Sequence, residues 1–455
     1  MYRRLISSML AFALLFTLAF LSGCGSKEKN ETGSASSLST ESTTAKETKK
    51  EEPKVTVRLF VRYGAGTLPI DAAFKARKEE FIKQNPNITV DDMSISEGKA
   101  YDDKLKTMIA TGDVPEICTT YGGEGERGYA ENKVFENLVP FFEKDKEWYD
   151  AFLPLFDNWQ FDGLDGVYGV PSEFMATGIF YNDEIFKKTG LTPPQTMEEL
   201  QEVAPKLKEA GYIPMALGAK SDFRGGQFFS NMLYKRFSFD EILDICTTRN
   251  IKYTDTAIVD LLKMIDELNK AEVFGPNAIA VDQNQDNALF FSEKSAMHFD
   301  GTWFAGNVVE SPIKDKIKFM PFPYFKDYPQ YKDNWFGGAG AGFSLSAKAD
   351  DLQKDAAFKL IKFLVSKEAF ESYRQEIKAG FYPSKLSESS DLDPIVTNMS
   401  NVINTGKLFK PLYVRFDKVP TMRGKVFEGI QGIISGKSAE AVAGELVKEI
   451  EKQAK

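Results

Sequence analysis

From Lys54 onward the chain alternates short apolar runs with amphipathic stretches of helical period, and this alternation constrains the fold more than any other feature. Val55-Thr56-Val57-Arg58-Leu59-Phe60-Val61 reads as a buried strand. Ile70, Ala73, Phe74, Phe81 and Ile82 then share one helical face, and Asn85-Pro86-Asn87 closes that helix. Ile88-Thr89-Val90 resumes a strand. Tyr101, Leu105, Met108 and Ile109 mark a second helix, ended by Thr111-Gly112-Asp113. Repeated along much of the chain, this pattern predicts α/β architecture.

The sharpest local signal is Thr196-Met197-Glu198-Glu199. Thr196 is placed to accept from the backbone N–H of Glu199 while the Glu199 carboxylate reaches back, which makes a capping box. Met197, Leu200, Val203, Ala204 and Leu207 supply the apolar stripe, and Gly211 suits the C-terminal cap. Pro205 cannot donate to the carbonyl of Gln201, so a kink is predicted there. No repeat of solenoid period is present.

The N-terminus says where such a chain works. Arg3 and Arg4 precede an apolar stretch from Leu5 to Leu21, and Leu21-Ser22-Gly23-Cys24 follows, the anatomy of a secretory signal. The apolar run falls short of the roughly 20 residues a membrane span needs. It resembles the bacterial lipoprotein signal, which implies that Cys24 is lipidated and becomes the new N-terminus. Residues 25–53 are rich in Ser, Thr, Lys and Glu, hold one large apolar residue, Leu38, and read as a flexible tether.

Without residues 1–23, 432 remain, enough for two compact domains. The formal net charge is −9, and loss of Arg3 and Arg4 makes it more negative still. An acidic chain without a basic block outside its tether is a poor nucleic-acid binder and offers anionic lipids no cationic surface. Membrane association must then come from the anchor. A single acyl chain binds only marginally, and the diacylglyceryl group that the lipoprotein resemblance implies meets that need. Cys118 and Cys246 are read as small buried hydrophobes, although one disulfide between them stays open.

Catalytic and cofactor patterns are few. His298 is the only histidine, lies in the apolar run Ser295-Ala296-Met297-His298-Phe299, and reads as structural. There is no Gly-x-Ser-x-Gly nucleophile elbow. Gly432-Ile433-Ile434-Ser435-Gly436-Lys437-Ser438 is one residue short of a phosphate-binding loop and follows helical sequence. The glycines from Gly337 to Gly342 miss dinucleotide spacing and suit close backbone approach or a bend. No Cys/His cluster offers a metal site, and no cofactor is expected. A pair of glycosidase carboxylates stays open among the many acidic residues, but a non-enzyme is the expectation.

Several segments, in order, resemble the family 1 extracellular solute-binding proteins, the sugar-binding components of bacterial ABC importers. They begin with Thr111-Gly112-Asp113-Val114-Pro115-Glu116-Ile117, where Glu116 replaces the family's usual Asp. Tyr168-Gly169-Val170-Pro171 and Ile179-Phe180-Tyr181-Asn182-Asp183-Glu184-Ile185-Phe186 follow, continuing into the capped helix at Thr196. Next come Phe290-Phe291-Ser292-Glu293-Lys294-Ser295-Ala296-Met297 with Gly301-Thr302-Trp303, then Met320-Pro321-Phe322-Pro323 through to Gly342-Phe343-Ser344-Leu345-Ser346. Ala356-Ala357-Phe358-Lys359-Leu360 and Tyr382-Pro383 complete the set, which spans about residues 54–385. The resemblance implies a periplasmic-binding-protein-like fold, two α/β lobes joined at a hinge around an interlobe cleft. It places 54–171 and 317–370 in the first lobe, and 172–316 and 371–455 in the second.

It also implies a lipid-anchored receptor on the outer face of the cell membrane, monomeric, that captures a carbohydrate and hands it to ABC permease subunits. A sugar offers hydroxyls at its edge and C–H patches on its faces, so its site needs carboxylates or amides and flat rings. In the family pattern Trp303 stacks on the ligand and Tyr121 matches a cleft aromatic. Asp300 is a hydroxyl acceptor or a loop-end residue. Glu124 lies among glycines that permit close approach, and Tyr63 follows the first strand at the end where α/β sheets bind ligands. Glu173 comes just after the inferred crossover, Asp222 and Arg224 lie in a polar loop, and Trp335 offers a second stacking face. Alternatives are a receptor for another polar solute, such as a polyol phosphate or glycan-derived acid, and an anchored glycosidase.

Overall fold

Strand residues here alternate between separate apolar clusters, and that alternation produces two sheets covered on both faces. The computed structural model describes residues 53–66, 68–387 and 391–453; the signal, Cys24 and the tether before residue 53 lie outside the described residues. The strands are β1 (Val55–Phe60), β2 (Ile88–Asp92), β3 (Ile117–Thr120), β4 (Val170–Pro171), β5 (Phe174–Asn182), β6 (Ile213–Ala216), β7 (Ser295–Gly301), β8 (Ile317–Pro321), β9 (Asn334–Ala339), β10 (Gly342–Leu345) and β11 (Leu408–Lys410).

The first sheet runs β2-β1-β3-β10-β4. β1 pairs in parallel with β2 and β3, and β10 lies antiparallel to β3 and β4. On β1, Val57 and Leu59 enter one cluster with Phe74, Phe81, Leu360 and Phe370, while Phe60 enters another with Tyr101 and Leu105. Period-2 alternation thus buries both faces under helices.

The second sheet runs β11-β9-β5-β7-β6, with β8 also on β5. Met175 and Ile179 of β5 join the cluster of Leu200, Phe228 and Ile430, whereas Ala176 and Phe180 join that of Val308 and Met399. Local signals hold. The helix Asp71–Gln84 stops at Asn85, and the helix Gly98–Thr111 ends on Gly112 at φ 76°. Thr196 and Glu199 form the reciprocal capping box of the helix Met197–Glu209, which runs through Pro205 as one element. Its cap is Ala210, with Gly211 next at φ 88°.

Three segments cross between the sheets side by side. The amide of Ser172 donates to Ala341 O at 2.9 Å, Gly340 N to Glu173 O at 3.1 Å, and Phe174 N to Phe381 O at 3.1 Å. Short, hydrogen-bonded crossings lying side by side form the hinge of a two-lobed fold. The sequence division needs correction at two places. β8 and β9 pair with β5, so residues 317–339 belong with the second sheet. Tyr373 and Tyr382 join the cluster of Val57 and Leu59 while Ile377, Ala379 and Phe381 join that of Phe180, so 371–382 is shared between the two sheets. Both errors arise because sheet membership is decided by long-range pairing that no local pattern encodes.

Cys118 and Cys246 are buried free thiols. Burial pushes both up from the ordinary thiol range. Among the described residues no helix is long and apolar enough to cross a membrane.

Candidate functional site

The C-terminal ends of the parallel strands β1 and β3 deliver side chains toward the crossings, the place where open α/β sheets present ligands. Tyr63 follows β1, packs its ring on Phe74 and Phe343, and points its hydroxyl at Ser172 Oγ (3.3 Å) and Glu173 Oε2 (3.4 Å). Burial, and then the Glu173 charge, raise its phenol well above the usual value. Glu173 Oε1 accepts the amide of Ala341 at 2.8 Å, so this carboxylate is held on two sides at the hinge. Gly340 makes room for it, since a Cβ there would lie 2.2 Å from Glu173 Oε1.

Tyr121 follows β3. Arg62 donates to its hydroxyl and to Ser96 O, while the guanidinium carbons of Arg415 and Arg423 stand 5.6 and 5.5 Å from its ring centroid. Glu126 accepts the amides of Tyr121 (3.0 Å) and Gly122 (2.9 Å); burial nevertheless raises its carboxyl above the usual range. Gly123, at φ 83°, lets the 413–416 segment close in, because a Cβ on it would sit 2.6 Å from Arg415 Cβ. Arg415 and Arg423 follow β11 of the second sheet, so this aromatic is covered from the opposite lobe.

Trp303 is half-buried just beyond β7, its ring folded over Gly301, where any Cβ would meet it at 2.3 Å. Asp222 opens the helix Asp222–Tyr234, is half-buried, and acts weakly on Lys99 of the first lobe, whose ammonium is raised first by Asp103. Glu124 is taken up by a bidentate pair with Arg127, at 2.6 and 3.0 Å, and faces along its own short turn. Tyr63, Tyr121 and Glu173 therefore share one region, and Trp303 and Asp222 stand on the second lobe.

Three predicted residues are placed elsewhere. Trp335 is 1% exposed and stacks between Phe319 and Phe409, so it is core and presents no stacking face. Arg224 and Asp300 are both fully buried, in a network with Asp286 and His298. Arg224 Nη2 reaches Asp286 Oδ2 at 3.1 Å and also meets Phe299 O, and Nη1 lies 3.1 Å from Asp300 Oδ1. His298 Nε2 is 3.1 Å from Asp300 Oδ2 and Nδ1 is 3.5 Å from Asp286 Oδ1. The Asp222–Arg224 stretch reads as a polar loop in sequence, but it is the start of a helix whose third residue turns inward to two acids.

His298 is structural, and its titration is testable. Burial lowers its proton affinity, yet Asp286 and Asp300 outweigh that and the net direction is upward. Burial likewise opposes ionisation of Asp286, but His298 and Arg224 prevail and lower it. A raised folded-state value means the His298 contribution is complete below its unfolded value of about 6.5 and is lost as pH rises through the folded one. The Asp286 contribution is present above its unfolded value of about 3.9 and lost as pH falls. Urea denaturation across pH should therefore show stability declining on the alkaline side of 6.5, and the decline should be absent in His298→Asn. An identical alkaline decline in that variant would remove His298 as its source.

Arg62, Glu126, Arg415 and Arg423 were not singled out from the sequence. Arg62 adjoins Tyr63 and was legible by that adjacency, but Arg415 and Arg423 lie beyond residue 385, where the quoted family motifs end, and only folding brings them to Tyr121. Two surface grooves, one beside Asn277, Gln285 and Lys294 and one beside Arg77, Trp148 and Lys362, share no residue with this region.

The chain is similar to the multiple sugar-binding protein of Streptococcus mutans, 25% identical over 341 residues that cover 72% of this chain and 75% of that one. It is 22% identical over 278 residues to the melibiose/raffinose/stachyose-binding protein MelE of Bacillus subtilis, covering 59% and 61% of the two chains. A solved structure from work on xylan utilization by Caldanaerobius polysaccharolyticus superposes with a TM-score of 0.78 at 22% identity, covering 87% of this chain and all of the other. The description of the bacterial extracellular solute-binding protein family matches residues 65–369. With two thirds of the chain matched and two lobes joined at a hydrogen-bonded hinge, the protein belongs to the bacterial extracellular solute-binding protein family.

Proposed function

We propose that the protein is a receptor, lipidated at Cys24, that captures an oligosaccharide between its lobes and delivers it to an ABC permease as a monomer. Members of its family are extracellular or periplasmic binding proteins. The observation that carries the reading is the set of rings at strand ends, Tyr63 and Tyr121 on the first lobe and Trp303 on the second, with Tyr63 against the hinge carboxylate Glu173. Rings match the C–H faces of a pyranose, and carboxylates or guanidinium groups match its hydroxyls. The names of the Streptococcus and Bacillus relatives support a sugar, and the second supports an oligosaccharide. The first lobe comprises about residues 54–171 and 341–387, and the second about 174–339 and 391–453. The acidic body leaves membrane attachment to the anchor, and Cys24→Ser should release the protein from the membrane fraction.

A panel of di- and oligosaccharides tested by thermal shift, then by calorimetry, checks this reading. A ligand that binds only the folded state raises the apparent midpoint. Trp303→Ala should weaken the best sugar by about tenfold through lost stacking. Release of shorter sugars on incubation would point to a glycosidase, and tighter binding of a non-sugar polar solute would move the reading to that class.

A further inference from the structure

The cleft carries more positive charge at Tyr121 than a neutral sugar needs. Arg415 lies in the turn Tyr413–Phe416, and among the described residues its side chain makes one hydrogen bond, a long donation from Nη1 to Ala339 O, 3.4 Å. Among the described residues it makes no ion pair with a carboxylate. Arg423 stands over the same ring and has only a loose pair with Asp102, at 3.6 Å. Arg62 is a third cation, at the hydroxyl end of the ring.

Glu126 and Glu173 lie close enough to act on Arg415 but form no ion pair with it among the described residues, and each is hydrogen-bonded to neutral donors. Glu126 is held by the amides of Tyr121 and Gly122, and Glu173 by the amide of Ala341 and the hydroxyl of Tyr63. Burial, and after it the neighbouring Arg423, lower Arg415 to about 10, so the guanidinium still carries its charge at neutral pH. Arg415 is half-buried and Arg423 exposed, so two like charges stand side by side at the edge of the region, and their mutual repulsion is offset only in part by the neighbouring acids. Such a pair beside one aromatic ring is placed to receive an anion, since two planar guanidinium forks fit the oxygens of a carboxylate or phosphate.

We propose that the ligand is an anionic saccharide whose oxyanion, a carboxylate or a phosphate ester, is seated by Arg415 and Arg423 beside Tyr121. This rests on the sugar-receptor reading and narrows its substrate class. The group bridges the lobes, because Tyr121 belongs to the first and both arginines to the second. An anion seated between Tyr121 and the two arginines contacts both lobes only when they are closed, and that difference in contact favours the closed form.

The experiment is calorimetry of the full chain with matched probes. Galactose and glucose and their β-1,4 trimers are compared with galacturonic and glucuronic acid and the corresponding uronate trimers. Glucose 6-phosphate and galactose 6-phosphate form the phosphate arm. At least one anionic probe should bind about tenfold or more tighter than its neutral counterpart, with affinity falling as NaCl is raised. The tighter arm tells carboxylate from phosphate. Arg415→Gln should shrink the acid-to-neutral ratio toward one, and the part-exposed Arg423→Gln, which carries little folding risk, should shrink it in the same direction. Neutral sugars binding as tightly as their acids overturns this proposal and leaves the sugar receptor standing. An acid preference unchanged in both variants also overturns it, by placing the anion elsewhere. Failure of every saccharide, neutral or anionic, overturns the receptor reading and this one with it.

Discussion

Replacing Arg224 with methionine should lower the unfolding free energy by about 3–5 kcal/mol, the usual cost of removing one partner from a buried ion network. Arg224 is the one guanidinium facing Asp286 and Asp300, and all three side chains are fully buried. Without it two carboxylates and one imidazole share a dry space. Only His298 is left to balance them. Asp286 also holds the amide of Gly218 at 2.9 Å, and Asp300 the amide of Gly301 at 2.7 Å, so the damage spreads to the loop after β6 and to the turn that carries Trp303. Urea denaturation followed by circular dichroism checks the magnitude. A loss below about 1 kcal/mol together with a large loss of ligand affinity would return Arg224 to the binding site.

Trp335→Ala is the second large effect, also about 3–5 kcal/mol, from lost transfer energy and the cavity left behind. The indole lies 6.3 Å from Phe319 and 6.0 Å from Phe409, centroid to centroid, and both neighbours are near parallel to it. Lys235 Nζ stands 5.6 Å over the ring and donates to Lys332 O at 2.7 Å and Asn334 O at 2.5 Å. Burial draws that ammonium down to about 7, so loss of the ring would open a path for water to a group that is poorly solvated now. The indole Nε1 has no hydrogen-bond partner among the described residues, and Trp335→Phe should therefore cost far less than Trp335→Ala. The two variants, compared by chemical denaturation, separate packing from polarity. Equal costs would show that the fit of the indole, and not ring volume, matters at this position.

The two experiments mark the boundary of what was legible. α/β architecture, the helices Asp71–Gln84 and Gly98–Thr111 and the capping box at Thr196 were readable because each depends on neighbours within a few residues. That Tyr63 and Tyr121 follow the parallel strands β1 and β3 was readable as well, since each comes just after an apolar run. The burial of Arg224, Asp300 and Trp335 was not legible, for one shared reason. A charge next to glycines or a tryptophan before a glycine run looks exposed locally, and burial is a property of what packs from elsewhere. The ions face Asp286 and His298, 62 and 74 residues on from Arg224 in the chain, and the tryptophan meets Phe409, 74 residues on.

The amino-acid sequence by itself determined the strand–helix alternation and the family resemblance. These rest on side-chain periodicity, caps and motif order, which act over one or two turns or one strand. Tertiary structure alone decided which sheet β8 and β9 join, which acids Arg224 neutralises, and which arginines reach Tyr121. Those outcomes follow from pairing and packing between residues tens to hundreds of positions apart, where the energy of a contact depends on the whole chain having folded.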